Sequence, residues 1–117
     1  MNSDYSVSEI LAISARREDD GDRVVIALVG ELDYHGADRL DIVLAELLTS
    51  PAGHVEVDAT GLTFVDSSGL RSIMLARAKA LEIGATFRVS TASPVVERVI
   101  EIAGLAGVLL GTESGPA

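Results

Sequence analysis

A chain of 117 residues is long enough to bury its own core as one domain, and with 48% hydrophobic but only 3% aromatic residues that core is built from Val, Ile, Leu and Ala. Eighteen acidic residues against nine basic ones leave a net charge of −9, which disfavours nucleic-acid phosphates and anionic lipid surfaces and suits a partner carrying a basic patch. The chain has no cysteine, which excludes disulfides, thiolate metal sites and cysteine nucleophiles.

No apolar run reaches the roughly 18 residues of a membrane-spanning helix. The opening Met1-Asn2-Ser3-Asp4-Tyr5 lacks the basic start and apolar stretch of a secretory leader, so the cytoplasm is the expected compartment. Val7 to Ala15 alternates loosely, and β-branched residues dominate Arg23 to Gly30. The charged run between them, Arg16 to Asp22, contains Asp20-Gly21, a turn signal. Two antiparallel strands joined by an exposed hairpin loop are predicted.

Gly30 to Gly36 breaks the second strand. Leu40, Val43, Leu44, Leu47 and Leu48 then recur at helical spacing, with Asp33 or His35 near the helix start and Ser50-Pro51-Ala52-Gly53 ending it. His54 to Asp58 alternates as a strand with Val55 and Val57 on one face, and Ala59-Thr60-Gly61-Leu62 reads as a connector. The stretch Thr63-Phe64-Val65-Asp66-Ser67-Ser68-Gly69-Leu70 passes from apolar to small polar residues and opens a second amphipathic helix. Its expected buried stripe is Leu70, Ile73, Met74, Ala78 and Leu81, with Leu75 off the stripe and Gly84 as the stop.

Phe87 to Ser90 is a short predicted strand. Ser93-Pro94 opens a third helix with Val96, Val99, Ile100 and Ala103 inward and Gly104 at its close. Leu105 to Leu110 forms either an edge strand or a cap, and residues 112–117 are expected to fray. No internal repeat or linker divides the chain. Residues 5–111 are thus predicted as a single α/β domain with a mixed sheet of four to five strands and three to four helices.

Little of the usual catalytic equipment is present. His35 and His54 have no partner at metal-ligand spacing, and the chain lacks the nucleophile-elbow, Walker and dinucleotide-binding motifs. His35 as a base for Ser67 is the one serine-nucleophile option. A phospho-acceptor carboxylate at Asp58 or Asp66 would want clustered acids and a nearby lysine, but Lys79, the sole lysine, falls mid-helix. The chain is therefore read as a non-enzyme with no cofactor and no metal. Ser67 and Ser68 sit at a helix start, where backbone N–H groups and the peptide dipoles tolerate an anion. The same Asp66, Ser67 and Ser68 also suit a plain helix cap.

The motifs Gly30-Glu31-Leu32-Asp33 and Leu62-Thr63-Phe64-Val65-Asp66-Ser67-Ser68-Gly69-Leu70, in this order and separation, resemble the STAS domain of bacterial anti-sigma factor antagonists. The resemblance runs from about Val7 to Leu110 and implies a STAS-like fold. It further implies partner switching. The unphosphorylated antagonist binds an anti-sigma factor and frees a sigma factor. The anti-sigma factor, itself a serine kinase, phosphorylates the first serine of Asp-Ser-Ser-Gly, here Ser67, and the complex separates. A phosphatase restores the unmodified form. Asp66, Ser68 and Gly69 flank the acceptor at the partner contact, and Asp33 would lie on the same face. Neither direct nucleic-acid nor membrane contact is implied. The alternative is a constitutive STAS scaffold subunit of a signalling or transport assembly, with no phospho-switch.

Overall fold

The strand β3, Arg23–Leu32, forms the spine of a five-stranded sheet. Val24, Ile26, Leu28 and Leu32 point from one of its faces into the core and are fully buried. In this computed structural model, residues 10–111 are described in full and Asn2–Val7 by their backbone. Residues 112–117, expected to fray, lie outside the described residues.

The spatial order of the sheet follows the chain: β1 (Asn2–Val7), β2 (Leu11–Glu18), β3, β4 (His54–Val65) and β5 (Thr86–Ala92). The first two pairings are antiparallel and the last two parallel, so the sheet is mixed as predicted. Strand β1 was not foreseen, because Asn2-Ser3-Asp4-Tyr5-Ser6 carries no apolar alternation. As an edge strand it needs to satisfy only one neighbour. The predicted hairpin is present with a tighter loop. Arg16, Arg17 and Glu18 belong to β2, and the turn is confined to a single 3-10 turn, Asp19–Gly21, with Asp19, Asp20 and Gly21 all at positive φ. Arg17 ties this turn to the helix beyond it, donating to the carbonyls of Gly21 (3.0 Å) and Leu47 (3.2 Å).

Among the described residues four α-helices complete the fold: α1 (Tyr34–Leu47), α2 (Ser67–Glu82), α3 (Pro94–Ile102) and the single-turn α4 (Ala106–Leu109). Successive right-handed crossovers β3–α1–β4 and β4–α2–β5 place α1 and α2 side by side on one face of the sheet. Helix α1 buries the predicted Leu40, Val43, Leu44 and Leu47, with Leu48 just after its end.

Strand β4 runs seven residues past Asp58, through the stretch read as a connector. Its parallel register with β3 slips between Ala27 and Val29 and again between Gly30 and Glu31, and these bulges break the apolar alternation that marks a strand in sequence. At the first slip the Asp58 carboxylate accepts from the Thr60 N–H (3.0 Å) and the Thr91 hydroxyl (2.7 Å). Burial pushes the Asp58 carboxyl up, but these bonds outweigh it and hold it below the usual range.

The buried stripe of α2 is displaced from the predicted one. Gly69, Ser72, Ile73, Ala76 and Ala80 face inward, while Leu81 is 50% exposed and Ala78 also faces solvent. The reason is close approach: small residues on this stripe let α2 lie near α1 and the sheet, and the larger apolar side chains are left at its margins. The Ser72 hydroxyl, 2% exposed, sits in the seam against the Asp41 carboxylate and the Ala37 carbonyl of α1. In α3, Val96 and Ile100 are fully buried, Val99 is partly so and Ala103 is exposed. Its start is capped as expected, the Val96 N–H donating to Ser93 Oγ. Leu105 to Leu110 takes the cap option, as α4, with Leu109 fully buried.

Candidate functional site

The site is built where two adjacent parallel strands stop together. Leu32 ends β3 and Val65 ends β4, and the two are paired in register. Each strand then turns directly into a helix through an aspartate. Asp33 caps α1, accepting from the Gly36 N–H at 2.9 Å, and Asp66 caps α2, accepting from the Gly69 N–H at 2.8 Å. The choice between Asp33 and His35 at the first helix start thus falls to Asp33, whose side chain is short enough to reach back to the third helical N–H.

Both starts follow one pattern, Asp-x-x-Gly: Asp33-Tyr34-His35-Gly36 and Asp66-Ser67-Ser68-Gly69. This short correspondence was missed in the sequence, where no repeat was recognised; matching the two segments from the ends of the preceding strands would have found it. The glycine has a steric reason at each place. A Cβ on Gly36 would come within 2.8 Å of Leu11, and one on Gly69 within 2.4 Å of the Leu32 carbonyl oxygen. The same carbonyl accepts from the Asp66 N–H at 3.3 Å, so the start of α2 is fastened to the end of β3.

Ser67 is the first residue of α2 and is exposed. Ser68 is half-buried and turned to a groove of about 460 Å³ between α1 and α2. Tyr34, Asp38 and Asp41 line that groove from α1, and Arg71, Met74 and Leu75 from α2. Leu75, expected off the buried stripe, is 41% exposed there. The Gly36 N–H holds the Asp33 carboxyl below its usual range; desolvation opposes this, and the His35 ring and backbone reinforce it. His35 is itself exposed and stands edge-on to Tyr34, ring centroids 5.2 Å apart, at the start of α1. The predicted Asp33, Asp66, Ser67, Ser68 and Gly69 therefore gather at one end of the sheet. Beside them lie exposed apolar side chains that the sequence reading did not single out, Tyr34 on α1 and Phe64 on β4.

At the opposite end of the sheet, His54 joins Thr86 (2.7 Å) and lies 3.9 Å from Asp22. These contacts hold the β4 start against β5 and the turn, far along the strand from Ser67. Among the described residues, no helix is long and apolar enough to cross a membrane.

Residues 15–111 match the family described as "Mlab, STAS domain". This chain belongs to the STAS-domain anti-sigma factor antagonist family. It is 31% identical over 84 residues to an anti-sigma F factor antagonist of Paenibacillus polymyxa, covering 70% of this chain and 71% of that protein. The fold is shared with an anti-sigma factor antagonist from Mycobacterium paratuberculosis at 21% identity, with a TM-score of 0.74 and 92% of each chain covered. It is also shared with SpoIIAA of Bacillus in its phosphorylated form, at 21% identity and a TM-score of 0.66, over 85% of this chain and 89% of that one. The predicted STAS-like architecture is therefore the observed one.

Proposed function

We propose that this protein is an anti-sigma factor antagonist whose hold on its partner is gated by phosphorylation of Ser67. In this reading the unmodified protein binds an anti-sigma factor in the cytoplasm, through Asp33, Asp66, Ser68 and Gly69 around the acceptor, and so releases a sigma factor. The relatives' names support the antagonist role. The observation that carries the switch is the setting of Ser67: an exposed hydroxyl on the first turn of α2, flanked by a capping aspartate and a half-buried serine.

Phosphate at Ser67 would add about two negative charges and strong acceptor oxygens. The N-terminal dipole of α2 favours that charge locally. Asp66 and Asp33 oppose it, and a docked partner opposes it more, since like charges brought together in an interface cost several kcal/mol. The fold therefore tolerates the modification while the complex does not. The partner in this reading is an anti-sigma factor with serine kinase activity, and a phosphatase resets the switch. The protein itself acts by binding, with no reaction of its own.

The test is a pull-down from the source organism's lysate with wild type, Ser67→Ala and Ser67→Glu, followed by phosphate incorporation with the captured kinase. An ATP-binding kinase retained by wild type and Ser67→Ala and lost with Ser67→Glu supports the switch. Stoichiometric phosphorylation of Ser67→Ala refutes the acceptor assignment, and capture of one non-kinase assembly by all three forms leaves the constitutive scaffold reading.

A further inference from the structure

We infer that Arg71 is the internal counter-ion of a phosphate on Ser67, drawn to it from the groove between α1 and α2. The inference rests on Ser67 as the acceptor. Ser67 and Arg71 are the first and fifth residues of α2. Positions four apart share one helix face, with Cβ atoms about 5–6 Å apart, and the favourable order places the acidic group N-terminal to the basic one. Arg71 is exposed, and among the described residues it has no ion pair or hydrogen bond. It lines the groove together with Asp38 and Asp41 of α1. Asp41 is already engaged by the Ser72 hydroxyl.

A guanidinium in that position has two claims on it. In the unmodified protein it shares the groove with Asp38 and Asp41 and pairs with neither. A phosphate one turn away carries up to two charges and offers oxygens that match the guanidinium fork, a stronger attraction than a solvated carboxylate. Besides Arg71, the titratable groups at this end of the sheet include Asp66, which caps α2, Asp33 and His35 at the start of α1, and Glu31 near the end of β3. Modification would thus change two things together. The start of α2 gains negative charge, and the groove loses its cation, leaving Asp38 and Asp41 facing Met74 and Leu75.

The experiment installs phosphoserine at position 67 of the full chain by codon-expanded expression, with no kinase needed, and follows the second ionisation of the phosphate by phosphorus NMR. An adjacent cation favours the dianion, so Arg71→Gln should raise that pKa by about 0.3 unit. Glutamine keeps the length and helix propensity of the side chain. Arg77→Gln removes the same charge from the same helix ten positions from Ser67 and should leave the titration unchanged. Identical titrations of wild type and Arg71→Gln, or an equal rise in Arg77→Gln, would overturn the contact. Failure of a cognate kinase to modify Ser67 would strike the switch itself and leave this titration to decide the role of Arg71.

Discussion

The carbonyl oxygen of Leu32, the last residue of β3, stands 2.4 Å from where a Cβ on Gly69 would lie, in the first turn of α2. The helix that carries Ser67 is therefore seated directly on the backbone of the neighbouring strand. Gly69 is there to allow that approach.

Substituting Gly69 with Ala should force α2 away from β3. The backbone oxygen cannot yield as a flexible side chain would, so the cost is that of overpacking, about 1–3 kcal/mol. Urea denaturation should show a lower midpoint at unchanged slope. The amide resonances of Ser67 and Ser68 should shift as well. A midpoint equal to wild type would show that the helix start has slack.

The caps make a prediction about pH. The folded state lowers the Asp33 pKa, so the unfolded chain takes up its proton first as pH falls. The stability that Asp33 contributes is thus complete above its unfolded value, about 3.9, and is lost as pH falls through the lower folded value. Asparagine caps as well as aspartate without titrating, so Asp33→Asn should be near wild type at neutral pH and lose less stability in this acid range. At the second helix, Asp66→Ala should cost about 1 kcal/mol at neutral pH. Denaturant midpoints at pH 7 and pH 3 for the three proteins decide both points.

Ser72 joins α2 to α1 through Asp41 and Ala37. Ser72→Ala removes that bond but leaves Asp41 able to rehydrate at the groove, for a loss of about 1 kcal/mol. Ser72→Leu has no room in the seam and should lose more, while changing the width of the groove that Ser68 and Arg71 line. If leucine is accepted with stability intact, α1 and α2 are not in close contact there.

The displaced stripe of α2 can be checked with two adjacent glutamates. Ala80 is fully buried, and Leu81 is half exposed. Leu81→Glu should stay within about 0.5 kcal/mol of wild type. Ala80→Glu should abolish cooperative unfolding or cost several kcal/mol by burying an unpaired charge. Circular dichroism with thermal melts separates the two, and the opposite ranking would restore the expected stripe that runs from Leu70 to Leu81.

What residue pattern alone determined here is local. A β-branched run marked β3 and apolar alternation marked the start of β4, because extended backbone suits branched side chains and sends successive ones to opposite faces. Leucines at helical spacing marked α1, Ser93-Pro94 the start of α3, and Asp66-Ser67-Ser68-Gly69 the start of α2. Capping and turn chemistry depend on neighbours a few positions away, so they can be read without a fold. What only tertiary structure decided is which surfaces meet. The β3–β4 bulges carry β4 on to Val65 by pairing across some thirty intervening residues, which no local alternation records. The small stripe of α2 was chosen over the larger one because close contact with α1, β4 and β5 outweighs the burial of Leu81. Strand β1 pairs only at an edge and carries no pattern of its own. Asp33 and Ser67 come to one end of the sheet for the same reason: parallel neighbours β3 and β4 finish in register at Leu32 and Val65, and each then turns into a helix on an aspartate.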